Sequence, residues 1–317
     1  MPFPFRNQPV TPRIGAPEES LASVLTEVRG LELQPGRLVT DVLSGGFRSS
    51  FRGGGVEFSD VREYVEGDDP RTVDWNVTAR LGRPFVKRFV EERERTIVVA
   101  LDLGSGMRAG LGVWSARQAA ARFCVCLASM AIENHDRVGF VAADAARGVC
   151  RFVLPKKGAG HVLRIARDVV ELPVGTGASA VDLLLQQVAG RLRRRAVVFL
   201  CSDFAGDAPL RTLSSCARRH DVVAVRVLPE EVLRPPPALL AVSDPGTGAV
   251  TTLDFAAPVV RTAWQAREHA WRQRRDFEFG QAGVDCIDLE LPAQATIDAI
   301  LVPLLAFFRR RERRGGR

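Results

Sequence analysis

Two apolar runs in this chain each stop on an acid. "TIVVALDL" (Thr96–Leu103) ends its run at Asp102, and "AVVFLCSDF" (Ala196–Phe204) ends at Asp203. Runs of Val, Ile and Leu without polar alternation suit strands buried on both faces, which are the strands of a parallel sheet covered by helices. The segments around them read as helices: Ser115–Asn134, Gly160–Val170, Ala180–Leu192, Pro209–Arg219, Val259–Gly283 and Ile297–Arg313. "RVGFVAAD", "RFVLPKKG", "DVVAVRVLP" and "VDCIDLEL" read as further strands. Strands alternating with helices predict an α/β fold with a doubly wound, mostly parallel sheet. Ligands of such sheets bind beyond the carboxyl ends of the strands, where Asp102 and Asp203 stand.

Three chemistries use an acid and a glycine-rich loop at such a place. "LDLGSGM" (Leu101–Met107) resembles the cofactor loop of S-adenosylmethionine-dependent methyltransferases, in which glycines let the backbone approach the ligand. Arg108 then stands where a third glycine belongs, and the next strand-end acid, Asp144, lies about twice the ~20 residues that a ribose-binding acid requires. Gly104, Gly106 and Ala109 also fit a dinucleotide loop, but that would set the Asp102 charge against a pyrophosphate. The third chemistry is a Mg²⁺ site of the adhesion type, built from hard oxygen ligands at neighbouring strand ends. Asp102, Thr176 in "LPVGTGAS" and Asp203 are its candidates.

The chain's 317 residues are enough to bury a full core. The formal charge is +7, nearly all of the basic residues being arginine, since Lys87, Lys156 and Lys157 are the three lysines. With basic residues mostly interleaved with acids and a single tyrosine, nothing suggests a specific nucleic-acid site. The prolines of the first 20 residues and the lack of an apolar core there do not read as a signal peptide. No window has the ~18 apolar residues of a membrane span. Cys124, Cys126, Cys150, Cys201, Cys216 and Cys286 are scattered and lack zinc-site spacing, so they read as reduced thiols of a cytoplasmic protein. The expected organisation is a disordered arm over 1–17, an N-terminal helix and β-rich block over 18–94, and an α/β domain over 95–317.

The β-rich block carries the most specific pattern. Gly55–Phe58, Arg62–Tyr64, Gly67–Arg71, Asp74–Trp75 and Ala79–Arg80 follow in order before the first buried strand. With Ser202–Phe204 and the hairpin-like Asp244–Val250, this resembles the bacterial family called domain of unknown function 58, over roughly residues 20–310. The resemblance implies a von Willebrand factor A-like domain with the N-terminal block packed on it. It also implies a MoxR-type AAA+ ATPase as partner, in the assembly or maturation of an unknown client. In the family, serines occupy the positions of Gly104 and Gly106. Their loss implies a degenerate metal-ion-dependent adhesion site, holding Mg²⁺ weakly or not at all. Asp68, Asp69, Arg71, Asp74 and Trp75 are the partner-binding candidates, with an ion-paired turn as the plain alternative. The resulting expectation is a non-enzymatic interaction protein, with a methyltransferase using the Asp-Leu-Gly-Ser-Gly loop as the alternative.

Overall fold

The computed structural model describes residues 20–33, 57–90 and 95–315. The expected arm over 1–17 lies outside them. The chain divides into a main unit (1–50 and 96–317) and a small unit (51–95).

The small unit pairs β1 (Glu57–Glu63) with β2 (Phe85–Val90) in antiparallel register. Between them Asp69 caps a short 3₁₀ turn (Pro70–Thr72), and Asp74 caps helix α2 (Trp75–Leu81). Helix α1 (Leu21–Leu33) precedes both in the chain. The α2 helix is absent from the sequence reading. Its cause is local: the Asp74 carboxylate accepts from Asn76 N (3.0 Å) and Val77 N (3.2 Å), and Gly82 ends the helix in the left-handed region.

The main unit is a six-stranded sheet. Its strands are β3 (Thr96–Asp102), β4 (Arg137–Asp144), β5 (Gly148–Lys156), β6 (Val197–Ser202), β7 (Asp221–Pro229) and β10 (Asp285–Leu291). They run in the order β10-β7-β6-β3-β4-β5, parallel except for β5, which pairs antiparallel with β4 at the edge. From β3 the chain moves first to β4 and later to β6 on the other side, so the winding reverses between β3 and β6. That reversal opens a crevice beyond their carboxyl ends.

Helices cover both faces. Helix α3 (Ala116–Glu133) is buried over most of its length and opens with a capping box between Ser115 and Gln118. Its Arg117 donates to the carbonyls of Val169, Val170 and Leu172, at the carboxyl end of α4 (Ala159–Glu171), which have no partner within that helix. Helix α1 belongs with this unit rather than with the β-rich block: Glu27 pairs with buried Arg122 of α3. On the other face, Val98, Ala100, Val198 and Leu200 pack against Leu184, Leu185 and Val188 of α5 (Val181–Arg191), Leu213 of α6 (Leu210–Arg219) and Phe279 of α8 (Pro258–Ala282). The short helix α7 (Glu230–Leu233) leads from β7 towards a separate hairpin, β8 (Leu239–Ser243) with β9 (Val250–Asp254). Helix α9 (Asp298–Gly315) closes the chain.

Candidate functional site

Asp102 and Asp203 meet at the crevice. Asp102 closes β3 and is fully buried. A buried carboxylate needs donors or a cation to satisfy it, and four protein donors surround this one. Its Oδ1 accepts from Gly104 N (2.9 Å) and Ala180 N (3.0 Å). Its Oδ2 accepts from the hydroxyls of Ser179 (2.6 Å) and Ser202 (2.7 Å). Two carboxylate oxygens offer about four lone-pair sites, so Asp102 is saturated by the protein.

The loop before α5 is folded down onto the strand ends. Gly175 N donates to Leu103 O (2.7 Å), Ser105 N donates to Gly177 O (2.8 Å), and the Arg108 guanidinium holds the Val174 and Gly175 carbonyls. Thr176, the sequence candidate, is exposed on this loop and makes no bond to Asp102. The hydroxyl brought to the acid is that of Ser179, three residues on. Its signal was present in the sequence as a polar residue just ahead of the apolar run that opens α5. Ser202, adjacent to Asp203, supplies the second hydroxyl; the sequence marks it only as part of the Ser202–Phe204 pattern, with no ligand role.

Asp203 follows β6. Its carboxyl turns inward over the loop glycines: a β-carbon placed on Gly106 would lie 1.6 Å from Asp203 Oδ2. Gly104 is also closely approached, its β-carbon position lying 2.9 Å from Ala178 O. The Ser202 hydroxyl has one proton, committed to Asp102 at 2.7 Å, so its 3.4 Å approach to Asp203 Oδ1 adds little. Ala205 N donates to the same oxygen at 3.2 Å. Burial, and then the neighbouring Asp102 charge, push the Asp203 carboxyl up to about 6. The next residue, Phe204, has φ +50°, a left-handed backbone rarely adopted by a bulky residue. This sends its ring inward against Phe279, the centroids 5.1 Å apart.

The hairpin completes the site. Ser105 Oγ donates to Pro245 O (3.0 Å) across 140 residues of sequence, and Pro245 Cβ lies 3.4 Å from the Gly106 β-carbon position. The turn is self-supporting, with Asp244 Oδ1 accepting from Gly246 N (2.8 Å) and Thr247 N (2.9 Å). Asp144, at the end of β4, is tied to Arg147 (2.6 Å) and Ala146 N (3.1 Å). Burial pushes its carboxyl up, but these bonds outweigh it and hold the group below its usual range.

In the small unit, most of the partner-binding candidates have structural tasks. Asp68 takes a two-pronged bond from Arg62 (2.6 and 2.7 Å) and one from Val65 N (3.0 Å), which hold its carboxyl below the usual range. Asp69 and Asp74 are caps. Arg71 and Trp75 point outward, the latter 72% exposed.

These motifs find a match across most of the chain: residues 60–274 fit the family described as "Protein of unknown function DUF58". The chain belongs to the DUF58 family. The match takes in both the Arg62–Asp68 turn and the strand ends carrying Asp102 and Asp203. An uncharacterized protein of Mycobacterium bovis is 29% identical to this DUF58 chain over 227 residues, covering 70% of this chain and 71% of its own. An uncharacterized protein of Mycobacterium tuberculosis matches to the same extent. Among solved structures, a conserved hypothetical protein BatB from Bacteroides thetaiotaomicron aligns with TM-score 0.40 and 11% identity, over 68% of this chain and 99% of that one. An aerotolerance-related membrane protein from Bacteroides fragilis aligns with TM-score 0.42 and 13% identity, over 69% and 99%. Among the described residues, no helix is long and apolar enough to cross a membrane.

Proposed function

We propose that this DUF58 chain is a non-enzymatic interaction protein of von Willebrand factor A type. It works with a MoxR-type AAA+ ATPase on a client protein, through a strand-end site that has exchanged its metal ion for internal contacts. The observation that carries this reading is the coupling of Gly106 to Asp203. The place where a serine side chain would stand to hold an ion is taken by a carboxylate oxygen. Mg²⁺ asks for near-octahedral oxygen coordination. Asp102 has its lone pairs filled, Ser105 is bonded to Pro245, and Thr176 is not bonded to either acid. Asp203 with the remaining lone pairs of Ser179 and Ser202 is a poor set for such an ion, so Mg²⁺ binding is weak or absent.

The methyltransferase reading has less support. Its loop glycines would have to leave room for a ligand, and here the space at Gly104 and Gly106 is occupied by Ala178, Asp203 and Pro245. Asp144, the acid that would meet a ribose, is engaged by Arg147 and crowded by Gly175. A thermal melt with S-adenosylmethionine separates the readings, because a ligand at about 100 times its Kd stabilises by roughly 2.7 kcal/mol. No shift at millimolar cofactor supports the interaction reading. The ATPase is tested by affinity capture of the tagged chain from its own host, with and without ATP. Recovery of an AAA+ ATPase supports the reading, and failure to recover any with either nucleotide state overturns it.

A further inference from the structure

The end of the sheet opposite Asp102 and Asp203 carries a chemistry of its own. There β3, β4, β6, β7 and β10 begin and antiparallel β5 finishes, since Val138 pairs with Lys156. Named contacts gather the connections at this end. Asp221 N donates to Ala196 O (2.8 Å) at the starts of β7 and β6, and the Arg219 guanidinium donates to Ala189 O (2.8 Å), joining the last turns of α6 and α5. Arg311 of α9 spans Asp221 and Asp285, the first residues of β7 and β10, at 2.7 Å each. Three arginine groups therefore share one pole: the run Arg193–Arg195, the pair Arg218–Arg219, and the last turns of α9.

Arg193, Arg194, Arg195, Arg218, Arg309 and Arg313 are all exposed there. The acids Asp221 and Asp285 are already taken by Arg311. Basic residues in the last turn of a helix complement its dipole, which accounts for Arg218 and Arg313. It does not account for Arg193–Arg195, which lie beyond α5 in the connection to β6. The positive field also reaches inward. Buried His220 has both ring nitrogens without a hydrogen-bond partner, and burial, then Arg219 and Arg195, hold its pKa below the ordinary value.

We propose that this arginine pole docks onto an anionic phospholipid membrane surface. Six strands at about 4.8 Å spacing make an end roughly 24 Å wide, which faces several headgroups at once. Guanidinium forks match phosphate oxygens. Single-stranded or sequence-specific nucleic-acid recognition would ask for aromatic stacking platforms or a helix or ribbon for a groove, and the α9 aromatics at this end, Phe307 and Phe308, are buried. The proposal is independent of the strand-end site and its ATPase partner.

Sedimentation of the full chain with vesicles tests it. Binding is expected to vesicles of phosphatidylcholine mixed with phosphatidylglycerol, not to phosphatidylcholine alone, and to fall as salt shortens the ~10 Å screening length. At roughly fivefold per arginine, Arg193→Ser with Arg194→Ser and Arg195→Ser lowers the partition coefficient by about a hundredfold. The corresponding triple lysine variant keeps binding, which separates loss of charge from loss of fold. Arg211→Ser, at the far end of α6, leaves it nearly unchanged. No binding to anionic vesicles at low salt overturns the proposal. So does binding that survives the triple serine change, or duplex DNA binding without vesicle binding.

Discussion

Asp203 Oδ2 lies 1.6 Å from the position that a β-carbon on Gly106 would occupy. The inward carboxylate and the missing side chain are therefore one structural fact. Gly106→Ala must expel the carboxylate or shift the loop, and overpacking of this kind costs about 1–3 kcal/mol. In an Asp203→Ala background the same change should be nearly neutral. Urea unfolding of the four proteins of this double-mutant cycle measures the coupling. Additive effects would mean that the two residues are not in each other's way. By the same geometry, serine placed at 104 and 106 should destabilise the chain before it restores an ion.

Asp102 is the anchor of the crevice. Asp102→Ala strands the donors of Gly104, Ala180, Ser179 and Ser202 in a buried place. A loss of about 3–5 kcal/mol follows, as for other buried charged networks broken on one side. Asp102→Asn keeps the acceptor for the two backbone groups and should lose less. Equilibrium unfolding of both variants decides the order.

The strand-end pair makes stability depend on pH. The Asp203 pKa is about 6 in the folded chain, above its ordinary value of 3.8. The folded state thus binds the proton more tightly than the unfolded state, and the stabilisation is complete below about pH 4 and lost as pH rises through about 6. Asp203 is half-buried, so about 1–2 kcal/mol is expected, less than a fully enclosed carboxyl so perturbed would contribute. Asp203→Asn should be the more stable protein at pH 7, and its advantage should vanish near pH 4. Melting temperatures across that range check it.

Arg226, midway along β7 beside the edge strand β10, is buried and bonded to Asp288 (2.8 Å twice) and Asp276 (2.9 Å). Arg226→Met removes the buried partner of this network and leaves Asp288 with only the more distant Arg272, at 3.8 Å. About 2–4 kcal/mol of destabilisation should follow, since breaking one side of such a network is costly. Arg226→Met with Asp288→Leu should recover part of it, and a urea midpoint for each variant measures the difference.

The strands and long helices were legible because their periodicity is strong. TIVVALD and VVFLCS are buried on both faces, and the sequence helices match the observed ones to within a residue or two at most ends. Helix α2 was hidden because it is short and depends on the Asp74 cap rather than on an apolar stripe. The site was legible in its two acids and not in its hydroxyls. Thr176 fits a ligand spacing, but the fold of the loop presents Ser179 instead, because Gly175 and Gly177 are drawn onto β3 and its following loop. The hairpin turn at Pro245 could not be placed from sequence, as a contact across 140 residues leaves no local pattern.

The central claim is that a protein carboxylate, not a metal ion, completes the strand end. Isothermal titration with Mg²⁺ tests it most directly, run on the unmodified chain and on Asp203→Ala. Neither protein should give saturable heat at millimolar Mg²⁺. Saturable binding at micromolar Mg²⁺ in the unmodified chain, lost in Asp203→Ala, would contradict it.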